Sequence, residues 1–486
     1  ITFADTSQYD IAKIYWTKPL ANTNGDLIQY DGASGYKIYR SDNPAENKWE
    51  EKCIAEKFSI DDTEYIDNLL SENIPNFFRV KAYTNKIVNG VSYYIESGYS
   101  PVFTLKTLIK PYTVNNKINL PELAGLYRSD MDLGDFNNDG LIDITVCGYD
   151  YTNTILKIYK NTGDTFVLVS EPLGSLKGVM RGSVKFADIN NDGALDLIAL
   201  GNGGQYNRLL VFENRNGEFV KLSEPMGANK GLQNGYIAAA DFDNDGDVDF
   251  AVTGNDGSNN RFIIFWNDKK IFARYTEPAG HNFGLTDYSR IIAGDYNNDG
   301  FKDLCCAGYD GAHSRLVLLK NNNGVFSFDQ EPLGINKGLD YCSIDFGDYD
   351  NDGDLDLAAA GFGEECERFV IFKNNNGTFQ KILEPLGENK GFYDNAIKFG
   401  DYNGDGLLDI AAQGESSAGL KYFAIYENIG ADSFVKKFEP LGTNQGIFLG
   451  SCNFADADNN GSLDLFATGR YSYLISSVFK NNFQIQ

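Results

Sequence analysis

The sequence predicts an all-β chain, a β-sandwich followed by a seven-bladed β-propeller. Three observations carry that prediction. A nine-residue acidic segment, first met as Asp135-Phe-Asn-Asn-Asp-Gly-Leu-Ile-Asp143, occurs seven times. Each copy is flanked by short apolar segments of strand length, with no 3.6-residue apolar period between them. Residues 1–110 lack the acidic segment and alternate apolar and polar positions, as in Gly35-Tyr-Lys-Ile-Tyr39 and Phe78-Arg-Val-Lys-Ala-Tyr83.

Composition narrows the function classes. The chain has 486 residues, 42 Lys and Arg against 68 Asp and Glu, and a net charge of −26. That balance argues against nucleic-acid binding, which needs a basic surface, and against adsorption to anionic lipid. No apolar run approaches the ~20 residues needed to span a bilayer, so no membrane insertion is expected. The chain starts at Ile1, as expected of a processed or truncated chain with a targeting segment already removed. Seven Cys in this length are too few for a disulfide scaffold. Cys147, Cys305 and Cys306 sit in apolar runs and read as buried small hydrophobes.

The repeat fixes the architecture. Its first aspartates are 53 to 55 residues apart. Each unit opens with an apolar segment ending on a small residue: Gly134, Ala187, Ala240, Gly294, Gly347, Gly400 or Ala455. The acidic segment follows, then an apolar run such as Leu197-Ile-Ala-Leu200. That run ends on a glycine five residues after the last Asp: Gly148, Gly201, Gly254, Gly308, Gly361, Gly414 or Gly469. A third, alternating segment such as Arg208-Leu-Leu-Val-Phe212 leads through an Asn/Gly turn to a fourth, such as Phe219-Val-Lys-Leu222. Four strands with turns between them read as one antiparallel sheet, and a sheet repeated radially is a propeller blade. Linear solenoid repeats are generally shorter, at roughly 20–45 residues. A Glu-Pro-Leu-Gly punctuation, as in Glu171-Pro-Leu-Gly174, links most units, and its recurring Lys177, Lys230, Lys337 and Lys390 could ring one face with positive charge. Ring closure is expected from Lys117-Ile-Asn-Leu120 as the outer strand of the seventh unit, in competition with Phe483-Gln-Ile-Gln486.

The acidic segments carry metal-binding chemistry. Position 1 is Asp135, Asp188, Asp241, Asp295, Asp348, Asp401 and Asp456. Position 3 is Asn137, Asn190, Asp243, Asn297, Asp350, Asn403 and Asp458. Position 5 is Asp139, Asp192, Asp245, Asp299, Asp352, Asp405 and Asn460. Position 7, where the backbone carbonyl would serve, is Leu141, Ala194, Asp247, Phe301, Asp354, Leu407 and Ser462. Position 9 is Asp143, Asp196, Asp249, Asp303, Asp356, Asp409 and Asp464. Alternate oxygens with Gly at position 6 for the sharp turn follow the logic of an EF-hand loop. Oxygen ligands without His or Cys select Ca²⁺ over zinc or copper, so up to seven Ca²⁺ are expected. Without metal, each loop would gather like charges at close range; a solvated acidic turn is the plain alternative. Loops three and five, with five Asp each, should bind most tightly, the extra Asp247 and Asp354 adding only long-range attraction. Loop seven should bind least.

This repeat resembles the FG-GAP/VCBS repeat of integrin α-chain propellers. Phe346-Gly-Asp348, Phe399-Gly-Asp401, Ala307-Gly308 and Ala360-Gly361 are the namesake pieces, and the resemblance covers residues 116–486. It implies a seven-bladed propeller with calcium in hairpin loops on one face. It departs from integrins in carrying the loop in all seven units. Residues 1–110 resemble a fibronectin type III domain, with Trp16 as the core Trp, and residues 108–116 read as a linker.

Loops between second and third strands lie on the face away from the acidic hairpins. They mix aromatics with amides and carboxylates, which suits a glycan or peptide; ordinary polar turns are the plain reading. The expected function is an extracellular calcium-stabilised binding, adhesion or scaffold protein, with a protein or glycan ligand on that face. A lectin with sugar sites between blades is the alternative. A polysaccharide-active enzyme is third, because only His281 and His313 could serve as non-repeated bases and no paired-acid or triad motif surrounds them; no catalytic residue is assigned. Loops lacking the EF-hand's terminal bidentate Glu should bind calcium only in the extracellular range of roughly 10⁻⁴–10⁻³ M. A secreted or cell-surface location is therefore expected, with Asn376-Gly-Thr378 as a glycosylation sequon. Self-assembly through the C-terminal tetrad is the remaining partner expectation.

Overall fold

The computed structural model describes residues 3–8, 11–15, 34–41, 53–57, 64–67, 75–88, 91–96, 103–106, 117–121, 125–278, 284–442, 445–470 and 474–481. Trp16, the 108–116 linker, His281 and Phe483–Gln486 lie outside the described residues. The chain divides into two compact units, Ile1–Pro111 and Tyr112–Gln486.

The first unit holds two antiparallel sheets. Phe3–Gln8, Ile11–Tyr15 and Glu64–Asp67 form one, with Ile11–Tyr15 in the middle. Cys53–Lys57, Ser34–Ser41, Pro75–Val88 and Val91–Glu96 form the other in that order, and Phe103–Lys106 also pairs with Pro75–Val88. The alternation in the sequence places Tyr36, Ile38, Phe78 and Val80 inside.

The second unit is a ring of seven four-stranded antiparallel sheets, the architecture of a β-propeller. In sheet one the strands run Tyr127–Gly134, Asp143–Tyr149, Thr154–Asn161 and Phe166–Ser170 from inside out. Each inner strand lies beside that of the next sheet, and the inner strand of sheet seven lies beside that of sheet one. Seven hydrophobic clusters fill the seven interfaces between neighbouring sheets. This explains the unbroken apolar second strands. Leu197 and Ala199 face the cluster shared with sheet one, while Ile198 and Leu200 face the one shared with sheet three. A strand buried on both faces has no polar side to alternate with.

Two small-residue positions follow from close packing. A Cβ on Gly134 would lie 2.5 Å from Leu195 Cδ1 of the next sheet, and one on Gly400 would lie 2.5 Å from Phe454 Cδ2. The glycine ending each second strand abuts the start of its own sheet's inner strand; a Cβ on Gly201 would lie 2.7 Å from the Met180 carbonyl oxygen.

The ring closes through the amino-terminal segment. Cys452–Ala455, Asp464–Arg470 and Leu474–Phe479 form the inner three strands of sheet seven. Lys117–Asn119 pairs on their outer side, with Phe479 opposite Lys117 and Ser477 opposite Asn119. The core of the hub is polar. Asp130 of sheet one, 1% exposed, sits 3.7 Å from Arg290 of sheet four and accepts hydrogen bonds from Ser183 and Tyr236. Lys185 pairs with Asp132 and Lys398 with Asp345.

Candidate metal loops and the opposite face

Each acidic loop joins the inner strand of a sheet to the second strand, so all seven lie at one end of the ring. Their local fold is repeated in detail. The position-1 carboxylate accepts from the backbone N–H of positions 5 and 6, as Asp135 does from Asp139 and Gly140. The position-5 side chain accepts from the N–H of position 7 in every loop, as Asp139 does from Leu141 and Asn460 from Ser462. Position 4 is left-handed, with φ from 54° at Asn459 to 72° at Gly404, and is Asn or Gly throughout, the residues for which that conformation costs least.

The position-9 aspartates are buried. Their Oδ1 accepts from the backbone N–H of an Asn ending the third strand: Asn161, Asn214, Asn267, Asn321, Asn374, Asn428 and Asn481. Burial, with a smaller push from the other loop carboxylates, raises Asp143, Asp249, Asp303 and Asp356 to about 7, Asp409 to about 8 and Asp196 to about 6. Burial also raises Asp464 to about 6, against the pull of Lys480.

Where position 3 is Asp, three carboxylates converge. Asp241, Asp243 and Asp249 bring carboxylate oxygens within 4.8 Å of one another, as do Asp348, Asp350 and Asp356, and Asp456, Asp458 and Asp464. In each set a buried oxygen of the position-3 residue, Asp243, Asp350 or Asp458 Oδ1, has no hydrogen-bond partner. Loop seven shares this convergence with loops three and five, although its position 5 is Asn460. Of the position-3 asparagines, Asn137 and Asn297 donate to Asp143 and Asp303 at 2.9 Å, Asn403 donates to Asp405, and Asn190 Nδ2 is buried without a partner. Lysines at the ends of third strands reach in as well. Lys160 lies 3.0 Å from Asp139, Lys320 3.1 Å from Asp299 and Lys480 3.1 Å from Asp458, and Lys373 pairs with Asp350 and Asp352.

Two features of these loops were missed in the sequence. The extra Asp247 and Asp354 do more than attract at long range. Asp247 Oδ1 accepts from Asn191 of the preceding loop at 2.9 Å, and Asp354 from Asn298 at 2.7 Å, because position 7 faces the neighbouring hairpin. The loops and third strands also form two belts of hydrogen bonds around the ring. The third-strand Asn donates to the position-2 carbonyl of the preceding loop, from Asn214 to Phe136 round to Asn161 on Ala457. The position-4 Asn donates to the Gly carbonyl of the next loop, as Asn138 does to Gly193 and Asn459 to Gly140. Gly404 in loop six has no side chain with which to do this. The recurrence of Asn 17 to 19 residues after each position-9 Asp was the available signal.

The opposite end of the ring carries the loops between second and third strands and the starts of the inner strands. A cleft of about 810 Å³ opens there between sheets two and three. Tyr206 and Tyr275, 46% and 55% exposed, stand on its walls, with Gln205, Asn207, Asn229 and Asn259 beside them. Arg261 is held there by Asp256 at 3.0 Å and Glu277 at 2.5 Å. The Glu-Pro-Leu-Gly connections tie down this face: Arg315 pairs with Glu331 at 2.8 Å, and Arg368 with Glu384. His313 lies in one of the turns, where its N–H donates to Asp310.

The FG-GAP-like repeat family matches in four overlapping stretches, residues 135–199, 188–252, 241–306 and 295–359. No curated protein matches the chain. Among solved structures, a rhamnogalacturonan lyase (PL11) of Bacillus licheniformis is 12% identical with a TM-score of 0.41, over 97% of this chain and 87% of that one. A fucose-recognising, six-bladed lectin of Aleuria aurantia is 10% identical with a TM-score of 0.39, over 66% of this chain and 98% of that one. Likenesses of this size assign neither ligand nor reaction to this chain.

Proposed function

We propose that the protein is a calcium-stabilised, seven-bladed propeller that binds glycans outside the cell, through the face opposite its acidic loops. The cleft between sheets two and three carries the glycan reading. Its volume lies within the roughly 300–1,000 Å³ usual for ligand sites, and it combines exposed tyrosine rings with amides. Rings of that kind cover the apolar faces of a sugar while amides match its hydroxyls in both directions. The mixture favours a glycan over the flat, apolar-centred contact of a protein partner, the adhesion or scaffold reading. No enzymatic role is proposed.

Calcium is supported by the loops themselves. Position-1, -3, -5 and -9 side chains and the position-7 carbonyl would hold it, and it would neutralise carboxylates that burial otherwise penalises. The orphaned oxygens of Asp243, Asp350 and Asp458 fit that role, since a buried unpartnered oxygen is costly unless something fills it. A carboxylate oxygen accepting one N–H retains a lone pair for a metal. The weak affinity expected of such loops points to an extracellular setting. The strand order of Ile1–Pro111, three strands beside four with a fifth pairing off the path, supports a fibronectin type III-like domain at residues 1–110, with the propeller at 116–486.

A glycan array in millimolar calcium tests the binding. Selective binding that Tyr206→Ala and Tyr275→Ala each reduce tenfold or more is expected. An array without hits, alongside a folded protein, would overturn the glycan reading.

A further inference from the structure

At the other end of the hub from the acidic loops, the seven inner strands share one unusual backbone position. Seven residues before each first loop Asp stand Arg128, Arg181, Asn234, Tyr288, Tyr341, Asp394 and Leu449, all left-handed, with φ between 45° and 56°. The acidic loops provide an internal control. There the left-handed position is always Asn or Gly, which tolerate it. Here the same conformation is imposed on Arg, Tyr and Leu, for which it is a strained state that persists only where the surroundings enforce it and that clusters at ligand sites. The backbone requirement is common to all seven sheets, so it does not explain these side chains.

All of these except Asn234 line a small cavity at the mouth of the central channel, of about 40 Å³. Its inner end is closed by the Asp130–Arg290 pair and Tyr236. Six of its polar neighbours are incompletely satisfied. Arg128 Nε and Arg181 Nε are buried donors without acceptors, and Asn234 Oδ1 and Asp394 Oδ1 are buried acceptors without donors. Asn395 Oδ1 and the Tyr288 hydroxyl are also unpartnered. Neither guanidinium has an ion pair among the described residues. Arg128 instead lies over the Tyr127 and Tyr288 rings, at 5.0 and 5.7 Å, and the Tyr288 and Tyr341 rings pack at a tilt, 5.5 Å apart.

The mouth is polarised. Arg128 and Arg181 come from sheets one and two, Arg290 of sheet four is held by Asp130, and Asp394 joins the lining from sheet six. Burial pushes Asp394 up to about 7, against the pull of Arg128, so the acidic group of the lining is not fully charged near neutrality. Unmet donors on one side call for an anion, ideally a planar carboxylate matched to guanidinium geometry. Unmet acceptors on the other call for hydroxyls, and the tyrosines offer a face for a ring. A cavity this size admits about one carboxylate, leaving the rest of the ligand outside against Tyr288 and Tyr341.

We propose that the channel mouth is a second glycan subsite, selective for an acidic sugar whose carboxylate is held by Arg128 and Arg181. It rests on the glycan reading above but on different residues. The test is calorimetric titration of the full chain, in calcium, with glucuronate, glucose and N-acetylglycine, and with the best neutral glycan from the array. Glucuronate is expected to bind at least tenfold more tightly than glucose or N-acetylglycine, and Arg128→Gln or Arg181→Gln to weaken it tenfold or more while leaving the neutral glycan's affinity unchanged. Tyr288→Phe, which keeps the ring, should weaken it severalfold and serves if an arginine variant fails to fold. Equal affinity for glucuronate and glucose, or for N-acetylglycine, or wild-type affinity in the arginine variants, would overturn the acidic-sugar site while leaving the cleft standing. Loss of neutral binding in Tyr206→Ala with glucuronate unaffected would confirm that the two sites are separate. Failure of every sugar to bind would remove the glycan reading itself.

Discussion

At the scale of single residues, each hairpin joins two kinds of interaction that should separate experimentally. Asn214 satisfies two carbonyls, Phe136 across the interface and Leu195 within its own sheet. Asn214→Ala leaves both buried and unpartnered, a cost of about 1–3 kcal/mol. Asp245, at position 5 of loop three, is exposed and, among the described residues, accepts a hydrogen bond only from the Asp247 N–H. Asp245→Ala should therefore cost little without metal and more with it. Urea unfolding of both variants, with calcium and with EGTA, checks this: the Asn214 cost is expected in both conditions and the Asp245 cost mainly in calcium. The reverse pattern would mean that the belt of asparagines, not the carboxylates, depends on the metal.

At the scale of elements, sheet seven is assembled from both ends of the ring, and its outer strand is only Lys117–Asn119. Leu120 extends the pairing by donating to Ser476. A chain begun at residue 112 keeps this strand, and its ring should melt close to the ring of the full chain. A chain begun at residue 122 loses it, exposing Val478 and the edge of Leu474–Phe479, and should melt well below and aggregate more readily. Thermal melts of the two truncated chains, compared with the full chain, decide it. Equal melting would mean that the closing strand contributes nothing. The sequence made this element legible because Pro121-Glu-Leu-Ala-Gly125 copies the punctuation that follows other outer strands. The four-strand grammar was equally legible, since the acidic loop and the glycine five residues after it recur in every unit. The channel mouth was not. Its backbone repeats while its side chains differ in nearly every sheet, so periodicity hides it. The asparagine belts were hidden for the opposite reason: Asn in a turn already has a local explanation, and nothing local shows that its amide crosses to a neighbouring sheet.

At the scale of the molecule, charge is divided between two ends. One end holds seven acidic loops, with lysines turned toward several of them; the other holds the cleft and the arginine-bearing channel mouth. Calcium at the first end would stabilise the ring without touching ligand at the second. Millimolar calcium against a dissociation constant of about 10⁻⁴ M would stabilise each occupied loop by about 1.4 kcal/mol, and seven such loops together would be a large share of a domain's stability. The most direct measurement is scanning calorimetry of the intact chain in millimolar calcium and in EGTA, with bound metal counted on the same sample. About seven Ca²⁺ per chain and a propeller transition that falls by well over ten degrees in EGTA are expected. An unchanged transition, or a chain that retains no calcium after dialysis against the millimolar ion, would contradict the calcium-stapled ring.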